Sequence, residues 1–441
     1  MERFFRHSII TFISEIGIFV LGFLSLVIIT RVLGPEGKGV YSLILLVPSL
    51  MLTFGSCGIG AANIYFTGNK KYKVEDVVAN SLFLVICLGI ILIIAFWALS
   101  YFSFFRDFIH ADQIPPAYLW LMVLSIPISL LLGFFQNIVR GKEQIINFNI
   151  ARILENGLNF LAIFILLFIL GRGVFSAVFA YIFSILGAAI FTVFLVKKIA
   201  KINLKVNLNL LKDSLIYGWK TYLASTVSFL SYRIDMFLLV LFSTSMAQIG
   251  FYSVAVSVAE KMFLIPGAFS TVLFPKISSA SELEANSITP KIIRHTFFLI
   301  ILASIAAIFL IRPLIAFVFG EAFLASSFPF FALIPGIIAF SIGGVIAADL
   351  SGRGRPEFAI YSSIACVLVN IVLNIILIPK YGITGAAVAS SIAYWVDTIV
   401  VLLAFLAISK KKINDILIIK KGDFKDYFYI LSFFKLWKIK N

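Results

Sequence analysis

The sequence predicts an all-α polytopic membrane protein, with twelve transmembrane helices in two parallel six-helix bundles and a short basic C-terminal tail. Three observations carry that expectation. The 441 residues are 61% hydrophobic and only 13% charged, whereas a soluble domain is about 45–50% apolar with about a quarter of its residues charged. The apolar residues fall in long runs separated by short polar breaks. The Lys and Arg residues gather in alternate breaks rather than on one soluble face.

A span needs about 20 apolar residues to cross about 30 Å of hydrocarbon. Runs of that length lie at 9–33, 40–65, 78–104, 117–139, 147–170 and 173–196 in the first half. The second half holds 215–241, 249–274, 292–319, 327–350, 358–379 and 382–408. Helices are expected because a barrel would show period-two alternation in segments of about ten residues. The first run, preceded by Arg3 and Arg6, is too long for a cleaved signal peptide and reads as a retained helix. The runs take up nearly the whole chain, which excludes a separate soluble catalytic domain.

The N-terminus, the breaks after even-numbered spans and the tail hold 26 Lys and Arg when Arg294 is counted with the break before it, against 6 on the other side, where Arg31 and Arg312 are counted with the breaks that follow them. The positive-inside rule then places both termini in the cytoplasm. The net charge of +15 is thus a topology signal, and nucleic acid is not an expected partner. Residues 411–441 form the tail, and its stretch Tyr427–Lys440 is too short to span. It reads as an interfacial amphipathic helix on anionic lipid, or as a frayed basic end. Cys57, Cys87 and Cys366 have no CxxC spacing and the three histidines do not cluster, so neither disulfide nor metal is expected. No HExxH, GxSxG or P-loop pattern occurs; no catalytic residue and no cofactor is expected.

The halves echo each other at an offset near 210, dividing the spans into bundles at 1–200 and 201–410. Gly39-Val40-Tyr41-Ser42 answers Gly250-Phe251-Tyr252-Ser253. Arg140-Gly141 answers Arg353-Gly354, Asn156 and Asn159 answer Asn370 and Asn374, and Gly173-Val174 answers Gly382-Ile383. Six spans per half is even, so both halves enter from the same side as a parallel repeat, an arrangement used by rocking transporters.

Charge within a span is costly, about 2.5–3.5 kcal/mol even on lenient scales, so such residues are candidates for function. They are Glu15, Arg152, Glu155, Lys220, Arg233, Asp235, Glu260, Lys261, Asp349 and Asp397, with Arg31 at a span end. Helical spacing puts Arg152, Glu155, Asn156 and Asn159 on one face, as it does Ser253, Ser257 and Glu260, and Ser390, Tyr394 and Asp397. The competing structural readings are interhelical hydrogen bonds, a local Arg152–Glu155 pair, and a snorkelling Lys220. Arg233 lies on a different face from Lys220 and Asp235 and is expected to meet another partner.

The stretch Ile29-Thr30-Arg31-Val32-Leu33-Gly34-Pro35-Glu36-Gly37-Lys38-Gly39-Val40-Tyr41-Ser42 resembles the opening of bacterial polysaccharide-export flippases, members of the multidrug/oligosaccharidyl-lipid/polysaccharide exporter superfamily. Tyr232-Arg233-Ile234-Asp235-Met236-Phe237-Leu238-Leu239 with Ile249 to Ala255, Leu273 to Ser278, and Tyr381 to Ala389 are similar to later passages of that family. The resemblance covers most of the spans and leaves out the tail. It implies a MATE/exporter-like fold and a flippase for polyprenyl-diphosphate-linked oligosaccharide units, such as an undecaprenyl-diphosphate-linked oligosaccharide, serving O-antigen, capsule or exopolysaccharide. It implies alternating access driven by H+ or Na+, with polysaccharide polymerase machinery as a further partner beside membrane lipids. On that reading Arg31, Arg233, Lys220, Lys261, Arg152, Asn156 and Asn159 meet substrate, and Asp235, Glu260 and Asp397 take the coupling ion. Only Arg31, Arg233, Asp235 and the Gly-Pro turn match the family's motif residue by residue.

The chemistry is consistent with that implication. Each sugar hydroxyl left unpaired in hydrocarbon costs about 4–8 kcal/mol, and Arg suits phosphate oxygens. A multidrug or cation antiporter of the same superfamily would favour an anionic, aromatic cavity. A lipid II flippase would favour more basic residues and further spans. A membrane polymerase would need a larger extracytoplasmic loop than this chain offers. A non-transporting scaffold would not need the deep charges.

Overall fold

The computed structural model describes residues 2–69, 71–110, 112–242, 245–418 and 420–423. Side chains of residues 1–9 and of Lys220 are among those outside that description, as is the stretch Tyr427–Lys440. Among the described residues every regular element is helical. They are α1 (Glu2–Gly55), α2 (Ile59–Gly68), α3 (Val74–Leu99), α4 (Pro116–Gly141), α5 (Ile145–Ile169), α6 (Val174–Ile199), α7 (Leu208–Phe242), α8 (Met246–Ser279), α9 (Glu282–Phe319), α10 (Glu321–Gly352), α11 (Glu357–Ser409) and the short α12 (Ile413–Leu417).

Nine of these are long and apolar enough to cross a membrane, against twelve spans expected. Two expected boundaries fall inside single helices. α1 is broken at Gly34, with φ 66° and ψ −177°, and α11 at Gly382, with φ 54° and ψ −135°. Backbone near the first of these geometries is essentially restricted to glycine. Pro35 then restarts the helix, its ring fixing φ and its missing N–H costing nothing at a first turn. The expected span 215–241 corresponds to α7.

The chain divides into two compact units: residues 1–229, 240–253 and 316–323 in one, and 230–239, 254–315 and 324–441 in the other. In the first, Leu132 of α4 is buried against Ile185, Ala188 and Ala189 of α6. In the second, Leu273, Ile346 and Phe405 of α8, α10 and α11 share one core with Ile416 of α12.

The repeat is visible in the backbone. Gly173 before α6 has φ 67° and ψ −155°, close to its counterpart Gly382. In the first unit, a Cβ on Gly39 would overlap the Met246 carbonyl, and one on Gly250 would overlap the Pro35 carbonyl. Gly39 and Gly250, like Pro35 and Met246, stand 211 positions apart, so the contact is reciprocal, as a two-fold relation requires. Gly141 packs on the Ile64 backbone and Gly352 on that of Phe274, which matches Gly141 with Gly352 and not with Gly354.

The described part of the tail is packed, not free. Ile416 is fully buried. Arg294 of α9 donates from Nε and Nη2 to the Asp423 carboxylate at 2.6 and 2.9 Å, and from Nη1 to the Asp415 carbonyl at 2.6 Å. Those hydrogen bonds hold the Asp423 carboxyl down to about 2.

Two outcomes are expected. Gly39→Val forces backbone apart and should cost at least about 3 kcal/mol in detergent unfolding, whereas Gly17→Ala, whose added atom would meet nothing within 4 Å, should be neutral; equal melting temperatures would exclude the close contact. Asp423→Asn strands a buried guanidinium and should cost on the order of 3 kcal/mol. Because the folded carboxyl sits at about 2, below its unfolded value of about 3.9, this stabilisation is complete above that pH and should be lost as pH falls towards 2.

Candidate functional site

In the second unit Asp235 and Glu260 line one small cavity, and Arg233 pairs with Glu260. Arg233, in α7, donates from Nη1 and Nη2 to Glu260 Oε1 and Oε2 at 3.0 and 3.4 Å. Its partner is therefore not Asp235, two residues on, because side chains two apart on a helix do not face each other. Glu260 opens a 3-10 turn, Glu260–Phe263, that interrupts α8 and aims its carboxylate out of the regular helix. The pair is half-buried, with side chains 40% and 28% exposed, so its strength is moderate.

Asp235 is 4% exposed. Its Oδ1 accepts from the Met236 backbone N–H at 2.7 Å and its Oδ2 from Ser390 Oγ at 2.9 Å. Ser390 in turn accepts from Asn370 Nδ2 at 3.4 Å, and Asn374 donates to the Asn370 carbonyl at 2.8 Å. A relay of hydroxyl and amides thus ties α7 to both arms of α11. Asp235, Glu260 and Tyr394 line a cavity of about 10 Å³, room for roughly one water-sized occupant. Phe263 and Phe340 pack around Tyr394, with the Phe340 and Tyr394 rings 4.7 Å apart.

Ser390, Tyr394 and Asp397 share a buried face of α11. Asp397 fits because Gly343 of α10 lacks a side chain; a Cβ there would lie 3.3 Å from Asp397 Oδ2. Lys261 is exposed on the turn and is not among the residues lining the cavity. The side chain of Lys220 lies outside the described residues.

In the first unit Arg152 pairs with Glu15 of α1, not with Glu155 one turn away. Asn156 donates to the Arg152 carbonyl at 2.9 Å, and Asn159 Oδ1 is buried without a hydrogen bond. Arg31 donates from Nε to the Val318 carbonyl at 2.8 Å and from Nη2 to that of Phe317. It thereby caps the last turn of α9, where a cation offsets the negative end of the helix dipole.

The first unit also contains a cavity of about 560 Å³ that the charged residues did not reveal. Thr53, Ser56, Gly60, Ser129, Asn137 and Phe229 are among its lining. Its sequence signal is the stretch Gly55-Ser56-Cys57-Gly58-Ile59-Gly60, which interrupts an apolar run. There Cys57 and Gly58 take φ 50° and 67°, and α1 gives way to α2.

A bundle of long apolar helices holding ion pairs and two cavities defines a multi-pass membrane protein. The chain belongs to the family described as "Polysaccharide biosynthesis protein", whose match runs over residues 4–281. It is similar to the "Probable low-salt glycan biosynthesis flippase Agl15" of Haloferax volcanii, 29% identical over 35% of this chain and 33% of that protein, so this match spans a third of that relative's length. It is also similar to the "Putative O-antigen transporter" of Shigella flexneri, 24% identical over 86% of this chain and 91% of that one. Its fold is that of the lipid II flippase MurJ in an inward closed conformation, with a TM-score of 0.76, 19% identity and coverage of 92% and 90%. A multidrug MATE transporter in an inward-facing conformation shares the fold at a TM-score of 0.74, 19% identity and coverage of 90% and 96%.

The Arg233–Glu260 contact makes a double-mutant cycle informative. Arg233→Ala and Glu260→Ala should each destabilise the purified protein, and the double variant should recover about 1 kcal/mol relative to their sum. Strict additivity would show that the two side chains do not interact.

Proposed function

We propose that the protein is a flippase for polyprenyl-diphosphate-linked oligosaccharide units, moving them from the cytoplasmic to the outer leaflet by ion-coupled alternating access. The product would feed O-antigen, capsule or exopolysaccharide synthesis and its polymerase machinery. In this reading the chain crosses the cytoplasmic membrane twelve times with both termini in the cytoplasm, as two bundles at 1–200 and 201–410. The family and the glycan-related names of its relatives support the substrate class.

The observation that carries the mechanism is the Arg233–Glu260 pair beside buried Asp235. A guanidinium held by a carboxylate cannot also hold a diphosphate without exchange. Uptake of H+ or Na+ at Glu260 neutralises the anion that holds Arg233 and frees the guanidinium for phosphate oxygens, with Asp235 and Asp397 as the further ion-coupling carboxylates of the proposal. Arg152, held by Glu15, offers a second exchangeable cation, with Asn156 and Asn159 beside it. Arg31, Lys220 and Lys261 complete the proposed substrate contacts. The polyprenyl tail remains in lipid while the polar head crosses inside protein, avoiding the desolvation cost of its hydroxyls.

Removing the protein from its host should cause lipid-linked units to accumulate on the cytoplasmic face, measured by their protection from periplasmic ligase or external glycosidase. Arg233→Ala and Asp235→Ala should abolish surface polysaccharide with the protein still present in the membrane. Normal polysaccharide in both variants would remove these residues from the site, and absence of accumulation would remove the flippase reading. Comparing lipid II with lipid-linked oligosaccharide in reconstituted vesicles separates this function from that of a lipid II flippase, and a cationic dye separates it from that of a multidrug antiporter.

A further inference from the structure

The cavity in the first unit carries an inference beyond the charged residues. We infer that it is a binding subsite for an uncharged sugar ring, with Asn137 and Ser56 as hydrogen-bonding residues and Phe229 as the apolar wall; this rests on the glycan reading of the proposed function.

The Asn137 carboxamide, on α4, lines the cavity and makes no hydrogen bond with any described residue. Its Nδ2 lies 2.6 Å from where a Cβ on Gly60 would stand, so only glycine leaves it room there. Ser56 also lines the cavity, and its hydroxyl has no hydrogen-bond partner among the described residues. Both residues are partly buried and open to the cavity, so they form a donor and acceptor set that a guest can use in place of water.

The guest's chemistry follows from the lining. No carboxylate or cation is among the described lining residues, so neither a cationic drug nor a phosphate would find its counter-charge. A hydrocarbon chain would leave Asn137 and Ser56 unpaired. A pyranose ring supplies hydroxyls that donate and accept at its rim and C–H groups on its face, which suit Asn137, Ser56 and the rings of Phe229 and Phe134. A volume of about 560 Å³ lies within the roughly 300–1,000 Å³ of small-molecule sites.

Gly133 gives the test a variant that fills the site without disturbing the fold. It lines the cavity, and a Cβ added to it would meet nothing within 4 Å. Any side chain there projects into open space, and replacing an interior helix glycine favours the helix by up to about 1 kcal/mol.

The experiment compares two probes on purified protein in nanodiscs: undecaprenyl diphosphate bearing one neutral N-acetylhexosamine, and undecaprenyl diphosphate alone. The unmodified protein should bind the glycosylated probe more tightly. Asn137→Ala and Gly133→Leu should weaken that probe about tenfold, leave the bare diphosphate within about twofold, and keep the unfolding temperature of the unmodified protein. Equal weakening of both probes, or no weakening of either, would overturn the subsite. If the unmodified protein does not distinguish the probes, the glycan reading of the proposed function fails before the subsite is reached.

Discussion

A chain that lives in hydrocarbon must satisfy its polar groups from its own residues, and most of this architecture answers that constraint. Arg233 meets Glu260, Arg152 meets Glu15, Arg31 meets two carbonyls, and Asp235 meets Ser390 and a backbone N–H. Each partner comes from a different helix or a helix end, because a single helical face rarely supplies the opposite charge at the right spacing. The same pairs that fold the molecule therefore join its helices.

Glycine supplies the second element of the design. Gly34, Gly173 and Gly382 take backbone conformations that side chains resist, and they set where one crossing ends and the next begins. Gly39 and Gly250 serve differently, allowing two helix starts to approach until backbone meets backbone. That contact is tight where it occurs and contributes no side-chain interlocking, so it holds helices close while leaving few contacts to break. The cavity around Asn137 uses the same residue for the opposite purpose, with Gly60 and Gly133 leaving space where side chains would otherwise fill it.

Much of the fold was legible because the hydrophobic runs and their breaks coincide with helix limits: 147–170 corresponds to Ile145–Ile169, and 173–196 to Val174–Ile199. The backbone breaks at Gly34 and Gly382 also fall at expected boundaries, the end of the run 9–33 and the start of the run 382–408. The buried stripe of Ser390, Tyr394 and Asp397 was legible from spacing alone. The partner of Arg233 was not, because Glu260 is far along the chain and reaches it only through the 3-10 turn. Asn137 and Ser56 carried no charge to mark them, and only their lack of partners among the described residues singles them out.

Composition and the order of apolar runs determined the solvent this protein occupies and the class of structure it forms, because lipid admits few backbone solutions. The family motif around Arg31 to Ser42 narrowed that class further. The tertiary structure alone decided which charges are neutralised, by whom, and where space is left open. Those outcomes depend on distances between helices, and helix-to-helix distance is set by side-chain volume and glycine position across the whole bundle, which no local stretch of sequence contains.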